Sequence, residues 1–177
     1  MLSKASHLKS SWEVLIGLEI DTNNFTQKTT DKTYETAAFL SRQGADNVIK
    51  QEILQEEKEN YIRKQKIIAK STMVNENIAL CIANDEIYAN QDLASIDLKL
   101  LQFEDVEASF VIGKLSDTKI GISARSISKI DVEKIMKQLG GGGHLNEAAT
   151  QIENSTIEEV KKQLLDIIGG NNESNIY

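Results

Sequence analysis

"LGGGGHLNEAAT", residues 139–150, sets four consecutive glycines ahead of one of only two histidines in a chain of 177 residues. Glycine loses more backbone freedom on folding than any other residue. A run of four therefore persists where the chain must take dihedrals, or approach a neighbour, in ways that a Cβ forbids. One such approach is to a phosphate: small residues expose backbone N–H groups that can curl round an anion. The following residues 144–150 can begin a short helix whose N-terminus would add positive potential. The plainer reading is a helix stop followed by a flexible turn. The spacing is not that of a P-loop, which needs Lys and Ser or Thr after its second glycine. Nor is it a dinucleotide fingerprint, which needs a strand immediately before it.

Outward from the glycines, "DVEKIMKQLG" (131–140) reads as a helix leading into them and "ATQIE" (149–153) as a short strand. "STIEEVKKQLLDIIGG" (155–170) is an amphipathic helix capped by Ser155 or Thr156, with Glu158 or Glu159 in its first turn. On the N-terminal side, "IALCIA" (78–83) is a strand and "NQDLASIDLKLLQF" (90–103) a helix. "EASFVIGKL" (107–115) and "KIGISARS" (119–126) are paired strands joined by a turn at 116–118. Residues 46–70 place Val48, Ile49, Ile53, Tyr61, Ile62, Ile67 and Ile68 at spacings near three and four, the pattern of a long, partly exposed connecting helix. The polar cluster "STMVNEN" (71–77) marks the boundary after it. Ahead of the connector, "EVLIGLEID" (13–21) is a compact apolar run, expected to be a buried strand that delivers Asp21 at its C-terminal end, where ligands of open α/β sheets sit. A helix over 34–44 follows, capped by Thr33 or Asp31 and stopped by Gly44.

The 27 acidic and 20 basic side chains give a net charge of −7, the wrong sign for wrapping a nucleic-acid duplex, so no duplex partner is expected. The single cysteine, Cys81, lies in an apolar run and reads as a buried small hydrophobe in a reducing compartment. No apolar stretch approaches the length of about 18 residues that a membrane helix needs, so this chain itself is expected to be cytoplasmic and without membrane contact.

Candidate chemistry is sparse. His144 directly after the glycines can hydrogen-bond a phosphate oxygen or a base edge, or serve only as a structural hydrogen-bonder. Arg125, flanked by Ser123 and Ser126 at a strand end, can meet a phosphate bidentately, or be a surface charge. Asp21 is either a metal ligand or a cap of the loop after it. A metal-assisted hydrolase needs several oxygen or imidazole ligands, and no two histidines here are neighbours in sequence.

"GLEIDTNNFT" (17–26), "GISARS" (121–126) and "LGGGGHLNEAAT" occur in that order and resemble the C-terminal part of the DHH phosphoesterases with their DHH-associated substrate-binding domain. The resemblance runs from about Glu13 to Gly170 and favours the subgroup of membrane-anchored cyclic-di-AMP phosphodiesterases of Gram-positive bacteria. It implies that Asp21 is the last aspartate of a site for two manganese ions. It also implies that Ser123 and Arg125 contact phosphate, and that Gly140, Gly141, Gly142, Gly143 and His144 clamp the nucleotide. In the family two metals activate water to open a cyclic dinucleotide to a linear one. The DHH triplet and earlier aspartate motifs are absent from the 20 residues ahead of Asp21.

The expected fold is therefore α/β: a remnant of the DHH catalytic domain (1–45), a helical linker (46–70), a small α/β DHH-associated domain (71–170) and a disordered tail (171–177). The chain is read as a fragment that grips substrate and is inactive by itself. Two alternatives stand beside that reading: a nanoRNase-like phosphoesterase on short oligonucleotides, and a non-catalytic nucleotide-binding module. An exposed half-sheet would favour a homo-oligomer.

Overall fold

A computed structural model of the chain describes residues 2–22, 24–26, 28–43, 55–127 and 129–170. Contacts divide the chain into two units, 1–57 and 58–177. The expected disordered tail, the stop at Gly44 and the residues Val48, Ile49 and Ile53 of the expected connector lie outside the described residues.

The first unit holds two described helices, α1 (Leu2–Asp21) and α2 (Asp31–Arg42). The run 13–21 is thus helical, which corrects the strand expected there. A lone strand leaves its backbone N–H and C=O groups unpaired, and no other strand is present among the described residues of this unit to pair with it; a helix satisfies them internally. Within the run, Leu15, Ile16 and Glu19 are buried together with Thr22, at spacings of one, three and three that gather on one helical face. Leu40 is the buried residue of α2, which packs against α1. The cap of α2 is Thr30, not Thr33 or Asp31. Thr30 Oγ1 accepts from the Thr33 amide while Thr33 Oγ1 accepts from the Thr30 amide, a reciprocal box that satisfies two amides at once.

The second unit begins with α3 (Lys58–Ile68), whose Ile67 and Ile68 are buried. The division of the chain therefore falls before this helix, while the connector was expected to run through it to residue 70. Cluster 71–77 is a turn within the sheet: β1 (Thr72–Met73) pairs antiparallel with β2 (Ile78–Ile87), and Asn75 Oδ1 accepts from the amides of Asn77 and Ile78. Helix α4 (Asn90–Leu100) crosses from β2 to the parallel β3 (Ala108–Ser116), and a tight turn leads to the antiparallel β4 (Lys119–Ser126). Helix α5 (Val132–Gln138), strands β5 (Gly142–His144) and β6 (Glu147–Glu153), and helix α6 (Ile157–Gly170) complete the unit. The sheet order is β1-β2-β3-β4-β6-β5.

Each face of the sheet is covered. Period-two alternation sends Ile78, Leu80, Phe110, Ile112, Ile122 and Ala124 to the face packed by α5 and α6, whose Ile135, Met136, Val160, Leu164 and Ile168 close that core. The alternate residues Ala79, Cys81, Ala83 and Val111 meet α3 and α4 through Ile67, Leu93, Ile96 and Leu100. Burial on both sides is why "FVI" (110–112) reads as apolar without alternation. No helix among the described residues is long and apolar enough to cross a membrane.

One more expectation is corrected here. The residues after the glycines form no helix: β5, a turn at 145–146 and β6 make a hairpin. The chain leaves β5 to pair with itself at the sheet edge, which satisfies the outer backbone of β6.

Candidate functional site

The glycine run is explained position by position. Gly140 has φ +76°, and its amide donates to Lys137 O while that of Gly141 donates to Met136 O, closing the last carbonyls of α5 in a Schellman motif. A Cβ on Gly141 would collide with the Ala149 carbonyl oxygen, and one on Gly143, at φ +153°, with Glu147 O and the Ala148 backbone. These glycines let β5 lie tight against β6. Gly142 differs: a Cβ there would meet open space.

That open space is a cleft of about 470 Å³. Its floor is formed by Ser123 and Arg125 on β4 and by Glu147, Ala149 and Gln151 on β6; one side is the β5 edge of Gly142, Gly143 and His144, the other the first half of α4 with Asn90, Gln91, Leu93 and Ala94. The register makes this convergence. Arg125 stands beside Ser109 on β3 and Glu147 on β6, and Ser123 beside Ala149, so all share the sheet face that α4 covers. The structure thus brings Ser123, Arg125, Gly142, Gly143 and His144 together. Gly140 and Gly141 lie behind the cleft, in the helix stop and the strand contact.

The interior of the site is polar. Arg125 is only 12% exposed; its Nη2 donates to Glu147 Oε1 at 2.7 Å, and its Nε lies 4.0 Å from Asp97 Oδ2. Asp97, on α4, is fully buried. Ser109 Oγ donates to its Oδ1, and Ser123 Oγ donates to its Oδ2 at 2.8 Å. Burial pushes the Asp97 carboxyl up to about 7, against the pull of the two serine hydroxyls and of the Arg125 charge; Glu147 adds to the rise.

Asp97 and Glu147 were not singled out in the sequence. Asp97 did leave a signal, since it occupies the buried stripe of Leu93, Ile96 and Leu100 on an amphipathic helix, where a charge is out of place. Glu147 left none, because its link to Arg125 spans 22 residues and depends on strand register.

Asp21 belongs to the other unit. It ends α1 with its side chain 72% exposed, 3.8 Å from Lys28 Nζ. Among the described residues no group of three or more His, Cys, Asp or Glu side chains is placed to hold a metal ion, so these residues do not fit a two-metal centre and no step is assigned to one.

The fold and the cleft define the class: a three-layer α/β domain with a cleft at the edge of a mixed sheet, above the buried Arg125–Asp97–Ser123 network. Residues 70–170 match the DHHA1 domain, and the chain belongs to that family. Over 156 residues it is 38% identical to the cyclic-di-AMP phosphodiesterase GdpP of Geobacillus thermodenitrificans, covering 88% of this chain and 24% of that protein. The cyclic-di-AMP phosphodiesterase PdeA of Listeria monocytogenes gives the same identity and coverage. The chain thus spans about a quarter of the length of these relatives. An exopolyphosphatase-related protein from Bacteroides fragilis superposes with a TM-score of 0.73 at 20% identity, over 86% of this chain and 47% of that one, which bears out the α/β fold. The resemblance to the DHH phosphoesterases is likewise borne out by the domain match and by these relatives.

Proposed function

We propose that this chain is the nucleotide-gripping part of a phosphodiesterase that opens cyclic-di-AMP to a linear dinucleotide. The observation that carries the reading is the convergence of Arg125, Ser123 and the glycine edge before His144 on one cleft, far larger than a phosphate alone requires. In this reading the Arg125 guanidinium takes a phosphate oxygen, exchanging it for Glu147, and the side-chain-free edge at Gly142 lets the nucleotide lie against the strand. The relatives named as cyclic-di-AMP phosphodiesterases support the choice of ligand.

The same reading gives this chain the grip and not the cleavage. The manganese pair implied by the family resemblance lacks its donor set among the described residues, so turnover would rest on groups supplied from elsewhere. The catalytic remnant, the linker and the binding domain remain the proposed division of labour along the chain, with a cytoplasmic location.

Calorimetric titration of the 177-residue chain with cyclic-di-AMP tests the proposal. Saturable heat is expected, with the affinity lowered at least about tenfold in Arg125→Gln. Heat unchanged by that substitution, or none from the wild type, sinks it. Hydrolysis by the chain with Mn²⁺, lost in Asp21→Ala, would overturn the separation of grip from cleavage.

A further inference from the structure

Asp97 stands where the pattern of α4 calls for an aliphatic side chain. Leu93, Ile96 and Leu100, on the same stripe, fill the core between helix and sheet, and Asp97 is as buried as they are. A carboxyl group so placed is retained against its desolvation, and replacing such a group with apolar packing is often neutral or stabilising. Stability alone does not account for it. Its partners do: of the three sheet side chains that hydrogen-bond or ion-pair with it, Ser109 is wholly interior, whereas Ser123 and Arg125 form the cleft floor.

Arg125 is held from two sides. Glu147, 45% exposed at the mouth, takes Nη2 at 2.7 Å and can be exchanged for another anion. Asp97, with no exposed surface, faces the Nε side and cannot leave. The Arg125 Nε is buried without a hydrogen-bond acceptor among the described residues, and Asp97 Oδ2, at 4.0 Å, is the carboxyl oxygen that faces it from the interior. Asp97 also fixes a polarity. The Ser123 hydroxyl donates its hydrogen inward, which leaves oxygen lone pairs for the cleft. Ser123 then meets a ligand as an acceptor from a sugar hydroxyl or a base amino group, and the phosphate falls to Arg125.

We propose that Asp97 is a positioning residue of the cleft, aiming the Arg125 guanidinium at an incoming phosphate and turning the Ser123 hydroxyl so that it accepts from the ligand. The ligand half of this statement rests on the nucleotide reading above; the orientation of Arg125 does not. The groups that face Asp97 are Cys81 from β2, Ser109 from β3, Ser123 and Arg125 from β4 and Glu147 from β6.

Two measurements on the full chain separate these parts. The chain has three arginines, so the Arg125 Nε–Hε signal of ¹⁵N-labelled protein is assigned by its loss in Arg125→Lys. In ligand-free protein we expect its exchange with solvent to be slow, to quicken at least about tenfold in Asp97→Asn, and to stay slow in Glu147→Gln. Unchanged exchange in Asp97→Asn overturns the proposal. The second measurement is a double-mutant cycle on cyclic-di-AMP affinity: Asp97→Asn weakens binding about tenfold beside Arg125 and by a clearly smaller factor, the part carried through Ser123, in the Arg125→Gln background. Additive losses, or equal affinity in wild type and Asp97→Asn, overturn the proposal. If the wild-type chain gives no heat at all, the nucleotide reading fails, and the Arg125 signal alone decides the role of Asp97. Should Asp97→Asn fold poorly, Ser109→Ala removes a donor to Asp97 from outside the cleft and must quicken the same Arg125 exchange, by a smaller factor.

Discussion

Arg125 and Glu147, 22 residues apart in sequence, are joined by a 2.7 Å hydrogen bond across β4 and β6 at the mouth of the cleft. The cation that would take a ligand phosphate is thus already matched by a carboxylate of the protein, and an anionic ligand has to compete for it. Glu147→Gln removes the competing charge and leaves the hairpin backbone intact. A partly exposed pair of this kind contributes roughly 0.2–1 kcal/mol, so calorimetry should find cyclic-di-AMP bound more tightly by up to about fivefold. Weaker binding would mean that Glu147 itself holds the ligand.

The glycines should separate by function. Gly141→Ala forces a methyl group into the Ala149 carbonyl and should lower stability by about 1–3 kcal/mol, read as a fall in melting temperature. A Cβ at position 142 meets nothing within 4 Å, so Gly142→Val should keep its melting temperature near that of the wild type while its added bulk in the cleft weakens cyclic-di-AMP binding. Loss of stability in Gly142→Val with unchanged binding would reverse these assignments.

Stability should depend on Asp97 in a defined direction. Its carboxyl sits at about 7 in the folded protein, against an ordinary value of 3.8, so between those pH values the folded state holds a proton that the unfolded chain has released. The contribution of this group therefore falls as pH rises through that window and levels off above it. Denaturation from pH 4 to 8 should show this downward component in the wild type and lose it in Asp97→Asn, whose midpoint at pH 8 should equal or exceed that of the wild type. A variant at least as stable that binds less well is the signature of a group kept for orientation.

Cys81 should be unreactive in the folded chain. It is fully buried in β2, its Sγ donates to Ile67 O at 3.3 Å, and burial, with a smaller push from the Asp97 charge, moves the thiol up to about 12. A thiol reagent at pH 8 should label it only at the rate of unfolding, and labelling should become immediate in denaturant. Rapid labelling of native protein would show that α3 opens readily from the sheet.

Much of the second unit was legible because its signals are local. Strand β2, the hairpin of β3 and β4, and helices α4, α5 and α6 each carry their own period and their own turn or cap, as with Ile157, Val160, Leu164 and Ile168 at spacings of three and four. The run 13–21 carried no such decision. Apolar without clear alternation, it suits a strand wherever neighbours supply hydrogen bonds and a helix where they do not, and α1 is the outcome in this chain. The stretch after Gly143 misled for a related reason: a helix N-terminus and a strand edge both follow glycine, and only the free edge of β6 selects the hairpin.

By itself the sequence determined the α/β class, most elements of the second unit and the family to which the chain belongs, since periodicity, caps and motifs are written in adjacent residues. Only the tertiary structure decided that Gly142 borders open space while Gly141 and Gly143 do not, and that Arg125 stands between Asp97 and Glu147. Those facts depend on strand register and on which face of α4 meets the sheet, which arise from contacts between residues far apart in the chain.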